Sequence, residues 1–207
     1  MTSAHVALER LRAGNARFVA SQQTNQQHPT DRDRAELAFR QQPFAVILGC
    51  SDSRVPVELI FDQGLGDLFV IRVAGNVIGP AIIGSVEFAA AQLETRLVVV
   101  MGHSQCGAVA ATLDELQKNS DDLSPSLQSI VDRIRPSVEG LLESNIHSRD
   151  VLLDKAVKAN VRASAQQLRV GSEILEERMD TGGLRVVGAR YSLLTGLVEF
   201  FDGIPLD

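Results

Sequence analysis

The sequence predicts an α/β fold: a mostly parallel central sheet with one antiparallel edge strand, helices on both faces and an N-terminal helical arm. Three observations carry this. Short continuous apolar runs, the pattern of strands buried on both faces, occur at 45–48, within 67–76 and within 96–107. Segments of helical composition and length lie between and after them. Near the end, two apolar β-rich runs flank Leu194-Thr195-Gly196, a hairpin pattern that sets one antiparallel strand beside the sheet.

In chain order, the first stretch carries Leu8, Leu11, Phe18 and Val19 at helical spacing with charges between them. The polar run 21–31 is a surface connection ending at Asp31, which caps a helix through Arg40. The first strand follows at 45–48, the second at 67–76, a helix at 79–94 and the third strand at 96–107. Further helices are expected over 104–119, 126–144 and 149–179, the last broken near Gly171. The whole chain, 1–207, is expected to form one domain, with 1–41 as arm and connection and 42–207 as the α/β core.

A chain of 207 residues can bury roughly 70% of the surface it exposes when unfolded, so it needs no disulfide staples. Its 20 Lys+Arg stand against 26 Asp+Glu, a formal charge of −6 with no basic block, which speaks against a nucleic-acid partner. The N-terminal residues lack the uninterrupted apolar core of a signal peptide, and the longest apolar runs are too short to span a bilayer. The expected setting is therefore the cytoplasm, with no membrane association.

Only two cysteines occur, Cys50 and Cys106. In a reducing compartment, metal binding or catalysis is a better reading than a disulfide, although composition alone also allows two buried bystander thiols. Two predicted strands end in glycine followed at once by a potential ligand, Gly49-Cys50 and Gly102-His103. In open α/β sheets, sites form at the carboxyl ends of strands. His103 and Cys106, three residues apart, can meet on one ion where a loop turns into a helix, and Cys50 can supply a third ligand. Two thiolates and an imidazole suit Zn²⁺.

The residues after Cys50 sharpen this. Cys50-Ser51-Asp52-Ser53-Arg54 puts an acid and a base at alternate positions beside the proposed ligand. The bland alternative is a surface ion pair of little energetic value. A functional pair solves an electrostatic problem: Zn²⁺ with two thiolates carries roughly zero formal charge and acidifies water less than a three-histidine site does. A carboxylate that accepts a hydrogen bond from the nucleophile orients it, and an arginine that holds the carboxylate keeps it off the metal.

CSDSRVP (50–56), GDLFVIRVAGN (66–76), GHSQCGAV (102–109) and the N-terminal GNARF (14–18) resemble the β-class carbonic anhydrases, and the resemblance runs across nearly the whole chain. It implies reversible hydration of CO₂ to bicarbonate and a proton, by a zinc-bound hydroxide oriented by an Asp–Arg dyad. It makes Cys50, His103 and Cys106 the ligands of one Zn²⁺ per chain and Asp52 with Arg54 the dyad, with Asp52 itself ligating zinc only in a closed form. It places Gln41, nine residues before Cys50, where many members hydrogen-bond substrate across a subunit boundary. Phe69, Ala74 and Phe88 fall on positions lining an apolar pocket, and Gly107 follows the second thiol. It further implies a homo-oligomer, dimer or tetramer. The amphipathic arm agrees, since its apolar stripe must be buried and a second subunit is the natural place.

One branch of the family, inhibited by bicarbonate, carries a tryptophan on the strand that leads to the first cysteine; here the corresponding residue is Ile47 and the chain has no Trp, which argues against that pocket. His5, His28 and His147 have no partner at ligand spacing and read as surface residues. Arg72 reads as a structural residue making ion pairs, and Gly75, Gly79 and Gly84 as turn and packing positions outside any phosphate-loop pattern. Two rivals remain: the same site hydrolysing CS₂ or COS, and a non-catalytic zinc-stabilised module, which would need the ligands but not Asp52 and Arg54.

Overall fold

A computed structural model describes residues 2–24, 34–35, 37–118 and 123–204. Five strands form one sheet in the order β2-β1-β3-β4-β5, where β1 is Ala45–Gly49, β2 Leu68–Arg72, β3 Leu97–His103, β4 Arg185–Tyr191 and β5 Val198–Asp202. The first four are mutually parallel, and β5 runs antiparallel to β4 at the edge. This is the predicted sheet, with its antiparallel strand supplied by the hairpin around 194–196.

Alternation of side chains divides the buried strands between two cores. Ala45, Ile47, Val99, Met101 and Val187 face one side, where α1 (Ala4–Val19) and the short α2 (Val57–Ile60) cover them. Val46, Leu48, Val98, Val100 and Val186 face the other, under α3 (Pro80–Gln92), α6 (Arg149–Val170) and α7 (Glu173–Asp180). Two further helices, α4 (Gly107–Lys118) and α5 (Pro125–Val138), pack with the start of α6 beyond the carboxyl ends of β1 and β3. No helix among the described residues is long and apolar enough to cross a membrane.

Local chemistry sets the helix ends. Ser3, Ser124, Ser148 and Ser172 each accept a hydrogen bond from the backbone N–H three residues on, capping α1, α5, α6 and α7. Pro80 and Pro125 sit in first turns, where the missing N–H costs nothing. The predicted break near Gly171 is the α6–α7 junction: a Cβ there would lie 2.4 Å from the Gln167 carbonyl oxygen. The expected cap Asp31 lies outside the described residues, as does His28; residues 34, 35 and 37 are helical, and the chain has left the helix by 38–40.

The arm behaves differently from the expectation. Leu8 and Leu11, 1% and 0% exposed, share a cluster with Phe61 and Met101 of the same chain. Gly14 permits this approach, because a Cβ there would stand 1.8 Å from the Phe61 carbonyl oxygen. Buried Asn15 then donates to the carbonyls of Ile60 (3.2 Å) and Gly196 (2.8 Å) and accepts from the Val198 N–H (2.9 Å). Leu8 and Leu11 of the α1 stripe are therefore covered within their own chain, while Val19 stays exposed.

Candidate metal centre

Cys50 follows the last residue of β1, and His103 is the last residue of β3. These strands pair in parallel, so their carboxyl ends lie side by side. From His103 the chain passes through Ser104 and Gln105, the latter in a left-handed conformation (φ 55°), which returns Cys106 toward the sheet at the start of α4. Ser104 fixes this turn to the neighbouring hairpin: its N–H donates to the Tyr191 carbonyl (2.9 Å) and its hydroxyl oxygen accepts from the Leu193 N–H (2.9 Å).

The ligand atoms of Cys50, His103 and Cys106 all lie within 4.8 Å of one another, and all three residues are buried. The two sulfurs are 4.0 Å apart. Two Zn–S bonds of about 2.3 Å at a tetrahedral angle call for roughly 3.8 Å, so the pair needs almost no rearrangement to share an ion. His103 Nδ1 lies 2.9 Å from the Ser104 carbonyl oxygen. A proton on Nδ1 leaves Nε2 with its lone pair free, and Nε2 is a fully buried nitrogen with no hydrogen-bond partner among the described residues. An orphaned imidazole nitrogen beside two thiols fits a soft divalent cation and is costly without one.

The thiols affect one another's protonation. Hydrogen bonding from Cys106, helped by the N–H groups of Gly75 and Asp52, brings the Cys50 thiol down to about 4 despite burial. Cys106 is pushed upward, because its thiol donates to the Cys50 sulfur, and burial and the neighbouring thiolate both oppose a second charge. A cation relieves that conflict by neutralising both.

Asp52 lies beside the cluster without being one of its ligand atoms: its Oδ2 is 3.8 Å from His103 Nε2. Arg54 grips the carboxylate with both arms of its fork, Nε to Oδ1 at 2.9 Å and a terminal nitrogen to Oδ2 at 2.7 Å, while its backbone N–H donates to Oδ1 at 3.0 Å. These side-chain hydrogen bonds hold the Asp52 carboxyl well below the usual carboxylate range. Among the described residues of its own chain Arg72 makes no ion pair. Its guanidinium donates to the carbonyls of Cys50 (3.0 Å) and Asp52 (2.5 Å), bracing the segment that carries both side chains. Its place in FVIRVAGN gives no hint of that target; only the return of β2 alongside β1 does, with Gly49 opposite Arg72.

The remaining candidates divide. Ala74 precedes Gly75, whose N–H donates to the Cys50 sulfur at 3.3 Å, and Gly107 follows Cys106 with open space where a Cβ would be. Phe69 and Phe88 pack on each other, ring centroids 6.2 Å apart, with Phe88 exposed. Phe69 is opposite Val46, four residues before Cys50 and so roughly 13 Å along the sheet from the cluster. Gln41 is exposed on a groove of about 630 Å³ lined also by Arg34, Leu37, Phe39, Arg40 and Leu65. Gly75 occupies a left-handed turn (φ 67°), Gly79 precedes α3 and Gly84 lies within it; His147 is exposed.

Residues 45–198 match the protein-family model described as carbonic anhydrase. The chain is 42% identical to a carbonic anhydrase of Mycolicibacterium smegmatis over 93% of its own length and 91% of that protein. Among solved structures it resembles the β-carbonic anhydrase CafA of Aspergillus fumigatus, with TM-score 0.74, 29% identity, and coverage of 94% of this chain and 90% of that one. It also resembles a tetrameric β-carbonic anhydrase of Sordaria macrospora, with TM-score 0.70, 26% identity, and coverage of 81% and 84%. Fold, sequence and clustered Cys–His–Cys side chains agree: the chain belongs to the carbonic anhydrase family, in its β class.

Proposed function

We propose that this chain hydrates CO₂ reversibly to bicarbonate and a proton, holding one Zn²⁺ through Cys50, His103 and Cys106. The observation that carries the reading is the juxtaposition of three buried ligand atoms with a bidentate Asp52–Arg54 pair. When bound, zinc supplies Lewis acidity that lowers the pKa of a water toward neutrality and so provides a nucleophile.

The chain's own groups do the rest. Asp52 accepts a hydrogen bond from the nucleophile and so fixes which lone pair faces the substrate. Arg54 occupies both carboxylate oxygens and keeps Asp52 from closing onto the metal. Arg72 holds the backbone of both neighbours in place. CO₂ is uncharged, so the site needs a dry apolar slot and no cationic clamp. Ala74 and Gly107 stand at the site of their own chain. Gln41, Phe69 and Phe88 lie away from it and serve a pocket only across a boundary between copies, which makes the active unit a homo-oligomer. The exposed Phe88 and the tetrameric Sordaria protein support that assembly. Residues 1–207 act as one domain, since the α1 arm shares its core with the sheet.

Stopped-flow hydration of CO₂, run beside sulfide release from CS₂ on the same zinc-loaded sample, tests the reading. Rapid hydration with negligible sulfide release is expected; the reverse pattern would assign the site to the sulfur substrates.

A further inference from the structure

A turn on one side of the metal cluster is held from a distance. Val73 N–H donates to the Gly49 carbonyl at 3.1 Å, and the chain then makes a short 3₁₀ turn, Ala74–Asn76. Two successive residues of that turn have positive φ, Gly75 at 67° and Asn76 at 45°. A non-glycine residue in that region costs of order 1 kcal/mol and persists only where its surroundings enforce it. The surroundings are two buried side chains of α6. Asn160 Nδ2 donates to the Gly75 carbonyl at 2.7 Å, and the Ser164 hydroxyl donates to the Asn76 carbonyl at 3.0 Å. Asn160 and Ser164 are 2% and 3% exposed, so water does not compete for these bonds. The side of the turn away from α6 is closed as well: a Cβ on Gly75 would meet Ile134 Cδ1 at 2.8 Å and Ala108 Cβ at 3.2 Å. The outcome of this clamping is the direction of one N–H group, that of Gly75, which points at the Cys50 sulfur at 3.3 Å.

We propose that Asn160, assisted by Ser164, is a positioning residue for the metal centre: by fixing the 75–76 turn it aims the Gly75 N–H at the Cys50 sulfur and sets how much charge that sulfur gives the metal. The inference rests on the reading of Cys50 as a zinc ligand. The physical need is the one posed by the ligand set. Two thiolates cancel the charge of a divalent cation and weaken its acidity toward water. An N–H donated to one thiolate withdraws part of its charge without removing a ligand, and groups of this kind tune metal sites strongly. The bond acts only if the turn is rigid, and the two carbonyls that α6 holds are those of Gly75 and the next residue.

The test uses the full-length protein loaded with zinc or with cobalt(II). Asn160→Leu is expected to lower zinc affinity about 10-fold or more in chelator competition, because Cys50 is no longer held in place ahead of the metal, the usual scale for groups that support metal ligands. It is also expected to move the thiolate-to-cobalt charge-transfer band to longer wavelength, because an unbonded thiolate is more easily oxidised. Ser164→Ala, which deletes a single hydroxyl and leaves the fold able to form, should shift both quantities in the same direction by less. Leu168→Ala, a buried change farther along α6, should lower stability without moving the band. Zinc affinity and band position unchanged in Ser164→Ala, and in Asn160→Leu where it folds, would overturn the proposal while leaving the metal site intact. Failure of the unaltered protein to bind either metal would instead remove the reading beneath it.

Discussion

Arg54 holds both oxygens of the Asp52 carboxylate, at 2.9 and 2.7 Å, while one of those oxygens stands 3.8 Å from the orphaned Nε2 of His103. The carboxylate is thus close enough to reach a group bound at the cluster, and restrained from reaching the cluster itself. Replacing Asp52 with alanine should leave zinc content at one per chain and lower kcat/KM for hydration by about 100-fold or more, the scale of a lost positioned acid–base group. An Asp52→Ala enzyme with full activity would favour a zinc site that is structural only.

Arg54→Lys keeps the charge and loses the fork. Lysine cannot occupy both oxygens, so the carboxylate gains freedom to turn toward the metal. Hydration at pH 7 is expected to fall about 10-fold or more, with zinc bound at least as tightly as before. Metal loss as the primary defect would argue that Arg54 serves the ligands and not the dyad.

The pH dependence separates Asp52 from the rest of the site. Its folded pKa lies below the unfolded value of about 3.9, so the stabilisation it brings is complete above that value and is lost as pH falls through the lower, folded one. Asp52 therefore stays ionised throughout the neutral and mildly acidic range. Activity is still expected to fall from about pH 8 to pH 6, because the water activated at the metal titrates there. A flat profile between these limits would count against a titrating nucleophile, and an acid limb that moves in Asp52→Asn would assign it to the carboxylate.

Removing the metal should expose the asymmetry of the two thiols. With Cys50 lowered to about 4 and Cys106 raised, the chelated protein at neutral pH holds one thiolate. One equivalent of a small disulfide reagent should react at a rate nearly constant from about pH 6 to 9, because the thiolate fraction does not change over that range. An ordinary thiol of pKa about 8.5 would speed up more than 100-fold over that range. Zinc should protect both residues. Two equivalents reacting with the same steep pH dependence would show that the sulfurs do not interact.

Asn15 offers a test of where the arm belongs. Alanine there leaves the carbonyls of Ile60 and Gly196 and the N–H of Val198 without their partner, at a cost of about 2–3 kcal/mol in urea unfolding. A change below about 0.5 kcal/mol would mean that α1 is not held to its own chain.

The strands were legible because β1 and β3 are buried on both faces and so read as unbroken apolar runs, and the α6–α7 break because Gly171 interrupts a helical pattern. The clustering of Cys50 with His103 was legible from glycine–ligand pairs at two strand ends. The fate of the arm was not. Leu8 and Leu11 announce that a face is buried, but an amphipathic stripe is the same whether its own chain or another covers it; the deciding residue is Gly14, whose missing side chain admits Phe61. Arg72 and Asn160 were equally opaque, since both act on backbone carbonyls, which leave no trace in the sequence, across separations of 22 and 85 residues. Phe69 and Phe88 carry chemistry suited to a pocket wall, yet their distance from Cys50 depends on strand register, which only the folded chain reveals.

The most direct test is to measure zinc content and stopped-flow CO₂ hydration on a single purified sample, before chelation, after it, and after zinc is restored. One zinc per chain, activity that disappears with the metal and activity that returns with it are the expected results. A folded sample that hydrates CO₂ at full rate without transition metal, or that ignores added zinc, would contradict the assignment of Cys50, His103 and Cys106.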